Sequence, residues 1–227
     1  MALGERYGLE TDAVDRFAAL LGALAAEPAP PTTVREPHDA VDRHVADSLS
    51  GLEIAEIAQA DRLGDIGAGA GFPGLVLAAA LPASRVDLIE SARRKCEVAR
   101  RLASAGGLSN CHALAVRAEE WAGAGGAQAY DAVTARAVAS LAVLVEYAAP
   151  LLRPGGAFVA WKGERDAGEE GAAAAAAVLL GLEAREVRRV VPFPEARARH
   201  LHVYVKARQT PSRFPRRPGM ARKRPLA

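Results

Sequence analysis

The stretch from Leu63 to Glu90, LGDIGAGAGFPGLVLAAALPASRVDLIE, constrains the fold more than any other part of the chain. A short apolar run ends in the acid Asp65, and Gly67, Gly69, Gly71 and Gly74 follow before a run that reads as helix. Glycines in this setting let a strand turn sharply into a helix and let the backbone approach a ligand, because no Cβ stands in the way. Gly69-x-Gly71-x-x-Gly74 spells the dinucleotide fingerprint, yet the same turn serves several nucleotide-like ligands. The next strand closes on Glu90, where a carboxylate can accept hydrogen bonds from both hydroxyls of a ribose. That position fits NAD and S-adenosylmethionine equally.

Around the loop, strand and helix alternate. The pattern predicts strands at Arg62–Ile66, Arg85–Ile89, Cys111–Ala115, Ala129–Thr134 and Ala157–Trp161, with helices at Pro73–Leu81, Ser91–Ala105 and Leu141–Leu152. Such alternation makes a parallel sheet. An alanine-rich helix around Gly171–Leu180 and strands near Arg185–Val190 and Leu201–Lys206 follow, and the short VPFPEARARH connection between those strands suits an antiparallel hairpin at the sheet edge. Upstream, Val14, Phe17, Leu21 and Leu24 share one face of a helix over 12–25, with Asp12 as its N-cap. A proline-rich connection, Glu27 to Pro37, leads to a second helix from Pro37 to about Ile57. The expected division is a helical extension over 1–60, an α/β domain over 61–207 and a basic tail over 208–227.

With 227 residues, half of them hydrophobic, the chain can bury one sizeable core. No run approaches the ~20 apolar residues of a membrane span, and the N-terminus lacks a basic segment followed by an apolar one. A cytoplasmic protein with no membrane partner is expected, and a monomer. Cys96 and Cys111 have no metal-ligand spacing or partner histidines, which makes them reduced core thiols and predicts no metal. Trp121 and Trp161 read as core. His200 and His202 alternate on the last strand and are assigned no chemistry.

Charge is strongly polarised. Eight of the 29 Lys and Arg residues lie from Lys206 onward, where there is no acid; the remaining 21 stand against 27 acids, a body of −6 and a tail of +8. A basic segment on an acidic body points to a polyanion at that end. Arg213, Arg216, Arg217, Arg222, Lys223 and Arg224, interleaved with Phe214 and prolines, suit contacts to RNA phosphates and stacking on bases. The other possibility is that the tail folds back on the body and stabilises it.

Three features separate the two cofactors. Ala118-Glu119 follows the third strand, where many methyltransferases grip adenine. Pro154-Gly155-Gly156 precedes the fifth strand, an arrangement common in methyltransferases. The last two strands suit an edge hairpin, and too little sequence remains for the substrate half of a dehydrogenase. The expected fold is therefore α/β: a class I S-adenosylmethionine-dependent methyltransferase with a Rossmann-like sheet, mostly parallel with an antiparallel C-terminal strand.

RHVADS (Arg43 to Ser48), DIGAGAGFPG (Asp65 to Gly74), RAEE (Arg117 to Glu120), TARAVASL (Thr134 to Leu141), WKG (Trp161 to Gly163) and FPRRPG (Phe214 to Gly219) resemble, in order, the motifs of the bacterial 16S ribosomal RNA guanine-N7 methyltransferases, the glucose-inhibited division protein B family. The resemblance runs from Thr32 onward. It departs at PAPPTTVRE, where relatives carry a tryptophan-asparagine pair and an asparagine-leucine-threonine run. It implies methylation of N7 of guanine 527, with 16S RNA or the small subunit as partner and S-adenosylmethionine held by Gly67, Phe72, Ala118, Glu119 and Arg136, beside Glu90. Guanine N7 has an in-plane lone pair and no proton to lose, which accounts for the absence of an Asn-Pro-Pro-Tyr motif, a cysteine nucleophile or a carboxylate dyad. Basic donors matter more than bases: Arg136 and Lys162, at strand ends, are expected to orient guanine O6 or a phosphate, with His44 and Asp47 as a polar wall of the same pocket. An NAD-dependent oxidoreductase and a noncatalytic RNA-binding protein are the rival readings.

Overall fold

The structure, a computed structural model, describes residues 3–34, 36–136 and 138–227. Two helices lead, α1 (Leu3–Tyr7) and α2 (Thr11–Ala26). The buried face of α2 is Ala13, Phe17, Leu20 and Leu24. Val14, anticipated on that face, is 55% exposed, because the apolar stripe runs one residue to its side. Asp12 is not the cap either; Glu10 holds that position without a side-chain bond, and Asp12 lies in the first turn, paired with Arg16.

The anticipated helix from Pro37 to Ile57 is a relay of short turns. Helix α3 (Pro37–Ala40) widens into a π-helical turn, Val41–Ala46; α4 (Asp47–Leu49) and a 3₁₀ turn, Ser50–Glu53, come next, then α5 (Ala55–Ala58) after an extended Ile54. Two causes break the winding. The hydroxyls of Ser48 and Ser50 donate to the His44 and Asp47 carbonyls, a local competition with helical bonding. Gly51 is pressed against the Trp161 ring so closely that a Cβ there would lie 2.6 Å from it.

From β1 (Arg62–Ile66) the chain alternates: α6 (Gly74–Ala80), β2 (Arg85–Glu90), α7 (Arg93–Ala105), β3 (Cys111–Ala115), α8 (Ala118–Ala122), β4 (Tyr130–Arg136), α9 (Leu141–Ala148), β5 (Leu152–Lys162), α10 (Ala167–Leu180), β6 (Leu182–Arg189) and β7 (His200–Lys206), with α11 (Met220–Lys223) in the tail. The seven strands lie in the order β3-β2-β1-β4-β5-β7-β6. Pairs from β3 to β5 are parallel, and β7 runs antiparallel to both β5 and β6. This is the anticipated class I methyltransferase architecture, edge hairpin included. Strand β5 begins earlier than the pattern suggests and takes in Pro154-Gly155-Gly156; a Cβ on Gly156 would lie 2.8 Å from the Asp131 carbonyl oxygen, so only glycine can pair there.

Each face of the sheet is covered, and the pleat of β5 shows how. Ala157, Val159 and Trp161 enter the core shared with α2, α6 and α7, while Phe158 and Ala160 enter the core shared with α9 and α10. The strand order reverses between β1 and β4, so a crevice opens at their carboxyl ends, where open α/β sheets bind ligands. Among the described residues no helix is long and apolar enough to cross a membrane. Cys96 and Cys111 are both free and buried.

Candidate active site at the carboxyl edge of the sheet

The glycine turn is stitched in place by two carboxylates. Gly67, Gly69 and Gly71 all have positive φ, the left-handed region that glycine enters without a Cβ penalty. Asp65, buried at the end of β1, accepts the Gly74 amide at 3.0 Å and the Thr134 hydroxyl at 2.9 Å. Burial pushes its carboxyl up to about 6, with those two bonds pulling the other way. Glu90, at the end of β2, accepts the Gly69 amide on Oε2 at 3.1 Å and the Ala92 amide on Oε1 at 2.8 Å. Oε1 also accepts the Ser91 hydroxyl at 3.5 Å, so the lone pair left for a ligand is on Oε2.

Beside this turn a cleft of about 200 Å³ is bounded by Gly67, Ile89, Ala118 and Glu119, with Val138, Tyr147 and Arg222 opposite. Of the anticipated cofactor residues, Gly67, Ala118 and Glu119 face it. Phe72 does not; it is buried in the core and stacks on the His44 ring with centroids 4.4 Å apart and planes 11° from parallel. Nor do Arg136, which turns to a second cleft, and Glu90, whose carboxylate is turned to the Gly69 and Ala92 amides beside it.

That second cleft, about 360 Å³, gathers all four residues anticipated as catalytic, His44, Asp47, Arg136 and Lys162, together with Arg43 and Arg199. Arg136 is the hub. Its Nη1 donates to Asp47 Oδ2 at 2.9 Å and to the Arg43 carbonyl at 2.8 Å, and its Nη2 lies 3.5 Å from His44 Nδ1. His44 Nε2 lies 3.1 Å from the Thr32 hydroxyl. Burial, and then the Arg136 charge, lower the His44 imidazole to about 4, so it is neutral at pH 7. Asp47 Oδ1 is 3.2 Å from Arg199 Nε, close enough for an ion pair but not aligned as a hydrogen bond. Lys162 donates to Glu169 Oε1 at 2.7 Å, and the same oxygen accepts the Leu141 amide at 2.8 Å, so this lysine is fixed at the mouth of the cleft by α10.

With the geometry in place, the chain can be set beside known proteins. Residues 15–201 match the family described as GidB, rRNA small subunit methyltransferase G. Ribosomal RNA small subunit methyltransferase G of Rubrobacter xylanophilus is 42% identical over 198 residues, covering 85% of this chain and 75% of that protein. The protein of the same name from Symbiobacterium thermophilum is 41% identical over 204 residues, covering 86% and 82%. The chain belongs to this family. Among solved structures, a SAM-dependent O-methyltransferase of Thermotoga maritima superposes with a TM-score of 0.57 at 18% identity, covering 79% of this chain and 73% of the other. Fibrillarin of Aeropyrum pernix, with bound S-adenosyl-L-methionine, superposes with a TM-score of 0.54 at 18% identity, covering 70% and 72%. These two likenesses concern the fold.

In this member of the methyltransferase G family the tail is packed on the body rather than held away from it. Phe214 and Ala221 are buried in the core beneath α9. Arg216 makes a two-pronged pair with Glu146 of α9, at 2.7 and 2.5 Å, which removes it from the set of tail cations free to meet phosphates. The Arg222 guanidinium donates to the Val138 carbonyl at 3.0 Å. Arg213, over the Phe214 ring at 5.2 Å, stays exposed, as do Arg217, Lys223 and Arg224. Sequence reasoning assigned no role to Arg199 or Tyr147. Arg199 stands in the arginine-rich ARARH end of the β6–β7 connection, a charge signal that could have found it; Tyr147 sits inside an apolar helix and offered none.

Proposed function

We propose that this protein transfers a methyl group from S-adenosylmethionine to N7 of guanine 527 in 16S ribosomal RNA of the small subunit. The observation that carries the reading is the position of the two clefts. Arg136 and Val138, two residues apart at the end of β4, each line one of them, so a cofactor in the first and a base in the second meet at the strand's tip. Family membership supports it and lends nothing to the oxidoreductase or noncatalytic readings.

The residues present fit that cofactor. The turn at Gly69 is open, since a Cβ there would meet nothing nearer than the Gly67 carbonyl at 3.9 Å, and Glu90 keeps an acceptor position on Oε2 for a ribose hydroxyl. S-adenosylmethionine supplies a methyl group on a sulfonium centre. The lone pair of guanine N7 forms the new bond as the carbon–sulfur bond breaks toward sulfur, and no proton leaves the base. The chain therefore needs no general base, and among the described residues the second cleft holds none that is poised: His44 is stacked and hydrogen-bonded, and Asp47 is tied to Arg136. Arg136 and Lys162 hold positive charge and N–H donors where a guanine edge or phosphate would sit. The exposed tail cations and Arg43 supply attraction to RNA that does not depend on base sequence.

Tritiated methyl transfer to naked RNA, small subunits and whole ribosomes, followed by mapping of the modified base, tests the proposal. Label on N7 of guanine 527 is the expected result. Label on another base, or none on any RNA substrate, rejects it.

A further inference from the structure

The tail's charge invites the view that its only business is RNA, but its contacts point inward as well. Three anchors set it against the body. Phe214 and Ala221 are buried, Arg216 pairs with a Glu146 side chain that is only 2% exposed, and the Gly219 amide donates to Glu119 Oε1 at 2.9 Å. Gly219 has a φ of 79° with no atom near enough to obstruct a side chain, so glycine serves here to turn the backbone. That turn starts α11 and brings Arg222 over the mouth of the first cleft, opposite Ala118 and Glu119.

We infer that the segment from Phe214 to Lys223 is a wall of the cofactor cleft and that Arg222 is a cofactor-binding residue, facing the adenosine end. The inference rests on the reading of the first cleft as the S-adenosylmethionine site. Arg222 shares the cleft with the Tyr147 ring and an apolar floor of Ile89 and Ala118. A planar guanidinium beside an aromatic ring and an apolar floor suits a flat heteroaromatic base, through stacking and hydrogen bonding at its edge. The adenosine end is assigned because Ala118 and Glu119 follow β3, the strand farthest from β5, whereas the second cleft lies toward β5 and its Lys162. Fixing the guanidinium on the Val138 carbonyl and Glu119 on the Gly219 amide sets this wall before any ligand arrives.

The test is calorimetric titration of the full chain with S-adenosylmethionine and with S-adenosylhomocysteine, in the absence of RNA. Arg222→Ala is expected to weaken both by about tenfold, with Arg222→Lys recovering only part, as for loss of one charge-assisted contact. Arg208→Ala removes the same charge from an exposed tail position away from the cleft and is expected to bind like the unaltered protein. Melting curves on each variant separate a lost contact from a lost fold. Equal affinity of Arg222→Ala and the unaltered protein would overturn the inference while leaving the cofactor reading intact. Failure of the unaltered protein to bind either compound would bring down both.

Discussion

Arg216→Ala puts the docking of the tail to a quantitative test. In the folded chain the Glu146 carboxylate is almost wholly out of water, and Arg216 answers it with two parallel N–H donors while remaining 24% exposed itself. Removing one partner of a buried pair costs about 3–5 kcal/mol, because the remaining charge is left uncompensated. The partial exposure of Arg216 lets water reach the gap, which places the expectation near the lower end, about 3 kcal/mol. With a urea dependence of roughly 3 kcal/mol per molar for a chain of this size, the unfolding midpoint should fall by about 1 M. Restoring neutrality with Arg216→Ala and Glu146→Leu together should recover most of the loss, since replacing both members of a buried pair by apolar groups is close to neutral. Equilibrium urea unfolding at pH 7, followed by circular dichroism for the two variants and the unaltered protein, measures all of this. A midpoint shift below about 0.3 M for Arg216→Ala is what an exposed surface pair would give, and it would refute the idea that the tail is an integral part of the fold.

Other consequences can be read with standard assays. Arg136→Ala should lower methyl transfer by about a hundredfold or more while changing S-adenosylmethionine affinity less than about threefold; unchanged turnover would reduce Arg136 to a structural partner of Asp47. Because the folded His44 pKa is about 4 against 6.5 unfolded, stability is full above pH 6.5 and falls as pH drops toward 4, by about 2 kcal/mol at pH 5. Asp65, raised to about 6, contributes the opposite slope between pH 6 and 3.8, but it does so equally in a His44→Asn variant, so the difference between the two unfolding curves isolates His44; parallel curves would count against its buried neutral state. Gly67→Ala combines a φ of 65° with a Cβ 2.7 Å from Val138 and should cost about 1–3 kcal/mol and weaken cofactor binding, more than Gly69→Ala, whose surroundings are open; melting and calorimetry on the pair would contradict this if Gly69→Ala were the worse. Changing Arg213, Arg217, Lys223 and Arg224 together to alanine should reduce the log–log salt slope of RNA binding by about 3, at roughly 0.7 per phosphate, and an unchanged slope would remove the tail from the RNA interface.

The parts of the fold that depend on neighbours in sequence were legible. Alternation of strand and helix, the glycine turn and Glu90 at a strand end are local patterns, and the strands came within a few residues of their places. The segment after Pro37 was only partly so: the Ser48 and Ser50 hydroxyls that compete with its winding are local, but the Trp161 ring that presses on Gly51 donates its indole N–H to the Asp47 carbonyl from 114 positions away. Long-range assembly hid part of the site as well. His44, Asp47, Arg136 and Lys162 could be gathered by resemblance, yet Arg199 joins them only because β7 lies antiparallel to β5 and brings its leading end to the cleft. Phe72 looked like a cofactor contact from its place in the loop, and only the structure reveals its stack on His44. Counting charges found the basic tail but could not find Glu146, a single acid inside an apolar helix that gives Arg216 a different partner.

The π-helical turn Val41–Ala46 lets the helical segment beside the second cleft absorb a change of length. There the Asp47 amide reaches back to the Asp42 carbonyl, five residues earlier, so the turn carries one residue more than an α-helical bond would span. In an unbroken α-helix one added residue would carry every later side chain about 100° around the axis. Here the extra residue is taken up by widening, and Asp47, just beyond it, keeps its place against Arg136. Removing one residue from this turn would let it wind as ordinary α-helix with its flanks still in register, so such a deletion is expected to be better tolerated here than in the unbroken helix α2.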